Sequence, residues 1–403
     1  MLGPYRRVLA VPGAAAFAFA GFVARLPISM QTLGIVLLVS ATTGSYAWAG
    51  GVSAVFALVQ AMLAPTQGRL VDRVGQARVL LPALVVHGAG LAVLVWLALS
   101  GAPVWTLFPA AALFGGSYPQ PGSLVRARWA HALGGSALLP TAFSFESVVD
   151  EVIFVVGPVL VTFLSVQVWP AAGLLVAYAL TAVGGVALAV QRRTEPPAHP
   201  ATVGGERRAS ALLLPGVLVL VLVGFALGAV FGSIEVATVA FTAERDRPGA
   251  AGVVLALLAA GSLVSGLCYG TVSWRVPAYR RFVAGVLVLA VVTLPLPLAS
   301  SVEVLAALCF AGGFAISPAL IAGFSLLDSL VPAPSRTEGL AWFNTGLGVG
   351  IALSSSVTGQ VVDVAGGRAA LFVTVASGLL AGLLVLAGAA RLRPHNSAAA
   401  GGI

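Results

Sequence analysis

The chain has 403 residues, of which 59% are hydrophobic and only 8% charged, a balance that leaves too little polar surface to cover a soluble globule. All 21 basic residues are Arg, set against 13 acidic ones for a net charge of +8. Without Lys there can be no phosphate-binding P-loop, and the Arg are scattered in twos and threes between apolar runs rather than gathered on a nucleic-acid-binding face.

A bilayer crossing takes about 20 apolar residues, so the chain reads as an all-α membrane protein with no soluble domain. Arg6 and Arg7 precede an apolar run beginning at Val8, which is expected to remain as an uncleaved first helix because no polar mature segment follows. Further apolar segments fall at 46–65, 79–99, 104–124, 138–166 and 171–190, then at 212–242, 249–272, 282–299, 304–329, 339–362 and 369–390. That makes twelve spans. Between the sixth and seventh lies 193–210, with Pro196, Pro197 and Pro200, which is expected to be a cytoplasmic linker between a first six-helix bundle, 1–192, and a second, 211–403.

Placing the N-terminus inside puts 17 of the 21 Arg at cytoplasmic ends, with Arg245, Arg247 and Arg368 outside and Arg25 within a span. The positive-inside rule therefore predicts that both termini are cytoplasmic. Heavy use of Ala, Gly, Val and Arg points to a GC-rich bacterial genome, hence to a bacterial inner membrane. Cys268 and Cys309 fall inside apolar runs and read as small core residues.

Between the second and third spans, GRLVDRVGQARVL is expected to form a short charged hairpin. Gly68 would let a helix end approach its neighbour, Asp72 can sit on a helix N-terminus or pair with Arg, Gly75 allows a reversed turn, and Arg73 and Arg78 hold the connection inside. Gly68, Leu70, Asp72, Arg73 and Gly75 resemble the major facilitator superfamily signature G-x-L-x-D-R-x-G-R-R/K, which lies in this same loop. Gln76 and Ala77 depart from it, and Arg78 stands one place late. A shift of 202 positions lays Gly68, Arg73 and Arg78 on Gly270, Arg275 and Arg280, while Trp274 and Pro277 replace Asp72 and Gly75. Such a worn copy suits duplicated halves. Gly157 and Pro158 in the fifth span resemble the centre of the antiporter signature G-x-x-x-G-P-x-x-G-G, although Ile153, Val161 and Thr162 replace its other glycines. The resemblance implies a secondary transporter working by alternating access, with spans one, four, seven and ten around the central passage.

Ionisable side chains inside lipid are costly and mark functional sites; here they are Arg25, Glu146, Asp150, Glu151 and Glu235, with His87 as a titratable neutral group. Helical spacing puts Glu146 and Asp150 on one stripe and Glu151 on the next, about 100° round. Arg25 and Asp150 or Glu151 lie at comparable depths and could pair, leaving the other carboxylate at low dielectric, a setting in which it can bind and release protons. Asp150, Glu151 and Glu235 are thus the proton-coupling candidates, against the alternative of a static ion-pair cluster. Glu146 is expected to pair with Arg126 or Arg128, and His87 to be a satisfied core residue. Pro119 and Pro121 break the fourth span beside Tyr118 and Gln120. With Arg25 and Gln31 these become substrate-contact candidates by the resemblance, and Asn344 is a weaker one. Superposing the halves at a shift near 204 brings Glu235 close to Gln31.

The expected function is export of a small organic molecule in exchange for protons. A proton-coupled uptake symporter uses the same carboxylates, and a receptor or scaffold on the same fold would bind without flux. No H-E-x-x-H and no Ser/His constellation argues for an enzyme, and no cofactor or metal is called for. The expected partners are the substrate, protons and the lipid bilayer, with the protein a monomer.

Overall fold

The computed structural model describes residues 3–133, 136, 138–198, 212, 214–271, 274–331 and 336–393, all helical or irregular, with no strand among them. After a short helix, Gly3–Leu9, the first crossing α1 runs from Ala14 to Thr43 and is interrupted by a tight turn at Leu26–Ser29, where Pro27 supplies no N–H. α2 is Tyr46–Val74 and α3 is Gln76–Leu99. α4 consists of Leu107–Gly116 and Pro121–Ala132, α5 is Leu139–Phe163, and α6 is Ala172–Val190. The second half holds α7 (Pro215–Ala243), α8 (Ala250–Thr271), α9 (Ala278–Thr293) and a divided α10 (Val302–Gly313 and Ile316–Leu330). The last helical stretch, Arg336–Gly388, turns at Gly366 with φ +86°, which separates α11 (336–365) from α12 (367–388).

Among the described residues ten stretches are long and apolar enough to cross a membrane. The last of them contains both α11 and α12, and α4, divided into two short pieces, adds a further crossing. The fold therefore has twelve crossings in two groups of six. Residues 199–211 lie outside the described ones, and with them most of the expected linker at 193–210; so do 394–403.

The expected hairpin at Gly68 to Leu80 is shorter than the sequence suggested. α2 continues as helix through Val74 and α3 starts at Gln76, so Gly75, with φ +97°, makes the whole turn. Charged residues such as Asp72 and Arg73 are tolerated in a helix that has left the apolar layer, which hydropathy alone reads as a loop.

Packing differs between the two ends of the bundle. At the Arg-poor end one apolar core joins both halves, with Val36, Phe56, Ile153 and Val161 in the same cluster as Val236, Phe241, Ala251 and Leu371. At the Arg-rich end each half has its own core, around Phe17, Leu124 and Trp129 in one and Phe282, Leu326 and Phe343 in the other. Glycines make the shared end possible. A Cβ at Gly50 would lie 2.2 Å from the Ser355 carbonyl oxygen, and one at Gly252 would lie 2.3 Å from that of Pro158. By contrast a Cβ at Gly68 would meet nothing within 4 Å, so the close approach expected there is not made in this conformation. The two halves thus share one core at the Arg-poor end and keep separate cores at the Arg-rich one.

Candidate functional site

The break in α1 follows directly on Arg25, so its guanidinium leaves the helix towards α4 and α5. Its stem passes Gly122, where a Cβ would be 3.4 Å from Arg25 Cδ. Nη2 pairs with Glu146 Oε2, Nη1 donates to Asp150 Oδ1 at 3.0 Å, and Nε donates to the Gly21 carbonyl at 3.3 Å. Arg126 Nη2 donates to Asp150 Oδ2 at 2.6 Å, and Trp129 Nε1 donates to Glu146 Oε1 at 2.6 Å. Two carboxylates and two guanidiniums thus form one charge-balanced chain across α1, α4 and α5. Its Glu146 end is fully buried, while the Asp150 side chain remains 32% exposed.

One expectation is revised by this geometry. Glu146 pairs with Arg25, not with Arg126 or Arg128, because Glu146 and Asp150 sit one turn apart on α5 and a single guanidinium fork spans both. Arg128, two residues beyond Arg126, points to the far side of α4. There it donates to Gln76 Oε1 at 2.8 Å, Thr194 Oγ1 at 2.9 Å, and the carbonyls of Leu188 and Gln191 at 2.9 and 3.0 Å, closing the C-terminal end of α6.

Glu151 turns away from the Arg25 network towards the other half. It accepts from Ser317 Oγ of α10 at 3.2 Å, and Ser317 shares a 2.8 Å hydrogen bond with Ser262 of α8. Glu235 of α7 accepts from Thr32 Oγ1 of α1 at 3.3 Å. Neither carboxylate pairs with a cation among the described residues. Both therefore lie between the halves with hydroxyl partners.

Gln31, expected to face the central cavity as a substrate contact, points into the first half. Its side-chain amide lies 3.1 Å from His87 Nε2, and His87 Nδ1 donates to the Phe114 carbonyl at 2.7 Å, so both ring nitrogens of His87 are satisfied. Gln31 and Tyr118 are 1% and 0% exposed, and Gln31 Oε1 and the Tyr118 hydroxyl have no partner among the described residues. Gln120 precedes the second piece of α4 at a half-buried position, its side chain making no capping bond, and Asn344 is exposed on α11. Gly157 lies against the break in α1. Ser29 Oγ donates to the Ile153 carbonyl at 2.8 Å, and a Cβ at Gly157 would come within 1.9 Å of that hydroxyl oxygen.

In the loop motif, Asp72, Arg73 and Arg78 are exposed. The N-terminus of α3 is closed by Glu195, whose Oε1 accepts from Ala77 N at 3.1 Å, a role that Asp72 could have filled. Of the two cysteines, Cys309 is buried and Cys268 is exposed rather than in the core. Ser317, Ser262, Thr32 and Trp129 are site residues that the sequence did not single out. Hydroxyl and indole groups are common in membrane helices, so only proximity identifies them. Among the described residues no three His, Cys, Asp or Glu side chains gather as a metal site would require.

The sequence profile of the Major Facilitator Superfamily matches residues 17–303 and 246–402. A comparison with curated proteins finds no match. Among solved structures, a mutant of the nucleoside transporter NupG superposes with a TM-score of 0.72 at 14% identity, covering 94% of this chain and 100% of that one. A bacterial homologue of the iron transporter ferroportin, in an inward-facing state, gives 0.70 at 15% identity over 94% and 99% of the two chains. The POT family transporter PepTSo gives 0.70 at 13% identity over 94% and 97%. The fold of those transporters, the profile match along the chain and the twelve crossings lead to one conclusion: this is a multi-pass membrane transporter that belongs to the major facilitator superfamily.

Proposed function

We propose that this protein is a proton-coupled exporter of a small amphipathic organic molecule, working as a monomer in a bacterial inner membrane with its Arg-rich end and both termini in the cytoplasm. On this topology the apolar core shared by both halves at the Arg-poor end closes the present conformation to the outside.

One observation carries the reading: Glu151 lies at the seam between the halves with a hydroxyl partner and no cation, beside a network whose own charges cancel. Closing the inner end over an ionised, unpaired carboxylate would cost several kcal/mol. The seam therefore shuts over a protonated Glu151 or over a substrate that compensates its charge. Those two occupants exclude one another, which is the requirement for exchange. Glu235, with Thr32 on the other side of the passage, is a second proton site. Asp150, 32% exposed and held by Arg25 and Arg126, presents a partly exposed charge to entering substrate. Outward direction is supported by the Gly157–Pro158 pair, where α5 meets α1 on one side and α8 on the other.

Everted vesicles test the proposal. With an acid lumen, parent protein is expected to drive test compounds inward, whereas Glu151→Gln should lose the dependence on the proton gradient and keep passive counterflow. Undiminished gradient-driven uptake by Glu151→Gln combined with Asp150→Asn would rule out the helix-five carboxylates as the coupling site.

A further inference from the structure

α2 begins at the Arg-poor end, and its first backbone N–H groups have no partner within their own helix. Asp363, in the last turns of α11, supplies one from the opposite half. Tyr46 N donates to Asp363 Oδ1 at 2.7 Å, Ala47 N donates to Oδ2 at 3.0 Å, and Ser45 Oγ donates to Oδ2 at 2.5 Å. Ser45 in turn accepts from Trp48 N at 3.3 Å. The approach is close along this pair of helices, since a Cβ at Gly359 would lie 2.1 Å from the Tyr46 carbonyl oxygen.

The placement is one-sided in its energetics. A carboxylate near the C-terminal end of its own helix opposes that helix's dipole, whereas the same charge at the N-terminus of another helix is favourable. Asp363 is therefore unfavourable within α11 alone and becomes favourable only when α2 is against it. Moving the halves apart at this end strips α2 of its cap and leaves the carboxylate at the negative end of α11. A bond of this kind acts conditionally: it exists in one conformation of the transporter and adds to the stability of that one alone. Neighbouring Glu244 makes its hydrogen bond within its own half, accepting from Gly367 N at the start of α12.

We propose that Asp363 is a positioning residue that latches the Arg-poor end of the passage shut by capping α2 across the two halves. The inference rests on the alternating-access reading but not on which ion or substrate is carried. It is tested without either, in full-length protein reconstituted in nanodiscs, with Cys268 and Cys309 replaced by Ser. Spin labels at Trp105→Cys and Leu298→Cys, exposed positions of the two halves at the Arg-poor end, report opening there. A second pair at His131→Cys and Arg280→Cys reports the Arg-rich end.

Loss of a helix cap and a charge-assisted bond shifts an equilibrium by about tenfold. Asp363→Ala and Asp363→Asn are thus expected to raise the population with the longer Trp105–Leu298 distance about tenfold and to shorten the second pair's distance. Asp363→Glu should restore most of the parent distribution, and Ser45→Ala, which removes one of the three bonds, should move it part of the way. Parent-like distances in a folded Asp363→Asn protein would overturn the proposal. So would an Asp363→Ala protein that does not fold, if Ser45→Ala then leaves both distances unchanged. Either result leaves the Glu151 assignment untouched, because no gradient enters the measurement.

Discussion

Replacing Arg25 by Met should expose how the charge network is balanced. In the parent, the guanidinium holds Glu146, which is 0% exposed, and Asp150, which is 32% exposed and has Arg126 as a second partner. After the substitution Asp150 keeps Arg126, an exposed pair worth no more than about 1 kcal/mol. Glu146 keeps only the Trp129 N–H and becomes a buried charge without a counter-charge. Removing one partner of a buried pair costs about 3–5 kcal/mol, most of it the penalty of the stranded ion. Arg25→Met is therefore expected to be destabilised by about 3–5 kcal/mol, and adding Glu146→Gln should recover more than half, because the neutral amide still accepts from Trp129 and strands no charge. Reversible unfolding in mixed micelles, followed by tryptophan fluorescence, measures both. A single variant as stable as the parent, or a double variant no better than the single, would refute the reasoning. Counterflow on the recovered double variant then separates a stabilising role for Arg25 from substrate contact.

Two further outcomes follow from local geometry. Gly157→Ala should be destabilised by about 1–3 kcal/mol through overpacking, because its Cβ falls 1.9 Å from Ser29 Oγ, and Ser29→Ala in the same chain should regain much of the loss; equal stability of Gly157→Ala and parent in the same unfolding assay would contradict the close approach. His87→Phe should lose about 1–3 kcal/mol by orphaning Gln31 and the Phe114 carbonyl, yet leave the pH profile of vesicle uptake as it was, whereas a flattened profile would make His87 a proton carrier.

Long apolar runs fix where α1 to α12 lie, because a bilayer admits little else at that length and composition. The charged turn at Gly68 to Arg78 and its worn copy at Gly270 to Arg280 point to two related halves. The spacing of Glu146, Asp150 and Glu151 correctly separates Glu151 from its neighbours, since helical geometry is local. It does not say which guanidinium each would meet. Arg25, Arg126 and Arg128 were all at plausible depths, and only the rotation of α4 sends Arg126 to Asp150 and Arg128 to the end of α6. The resemblance turns Gln31 towards the passage, whereas the packing of α1 turns it onto His87.

The sequence by itself determined that this chain crosses a membrane twelve times, with charge concentrated at one end and a few acids stranded inside, because hydropathy and helical periodicity are properties of neighbouring residues. The tertiary structure alone decided which acids share cations, which lie at the seam, and that Asp363 caps a helix more than 300 positions away in the chain, |i−j| = 317 to Tyr46. Those contacts depend on how rigid helices are rotated and tilted against one another, and pairwise steric fits such as Gly50 on Ser355 and Gly157 on Ser29 set those rotations.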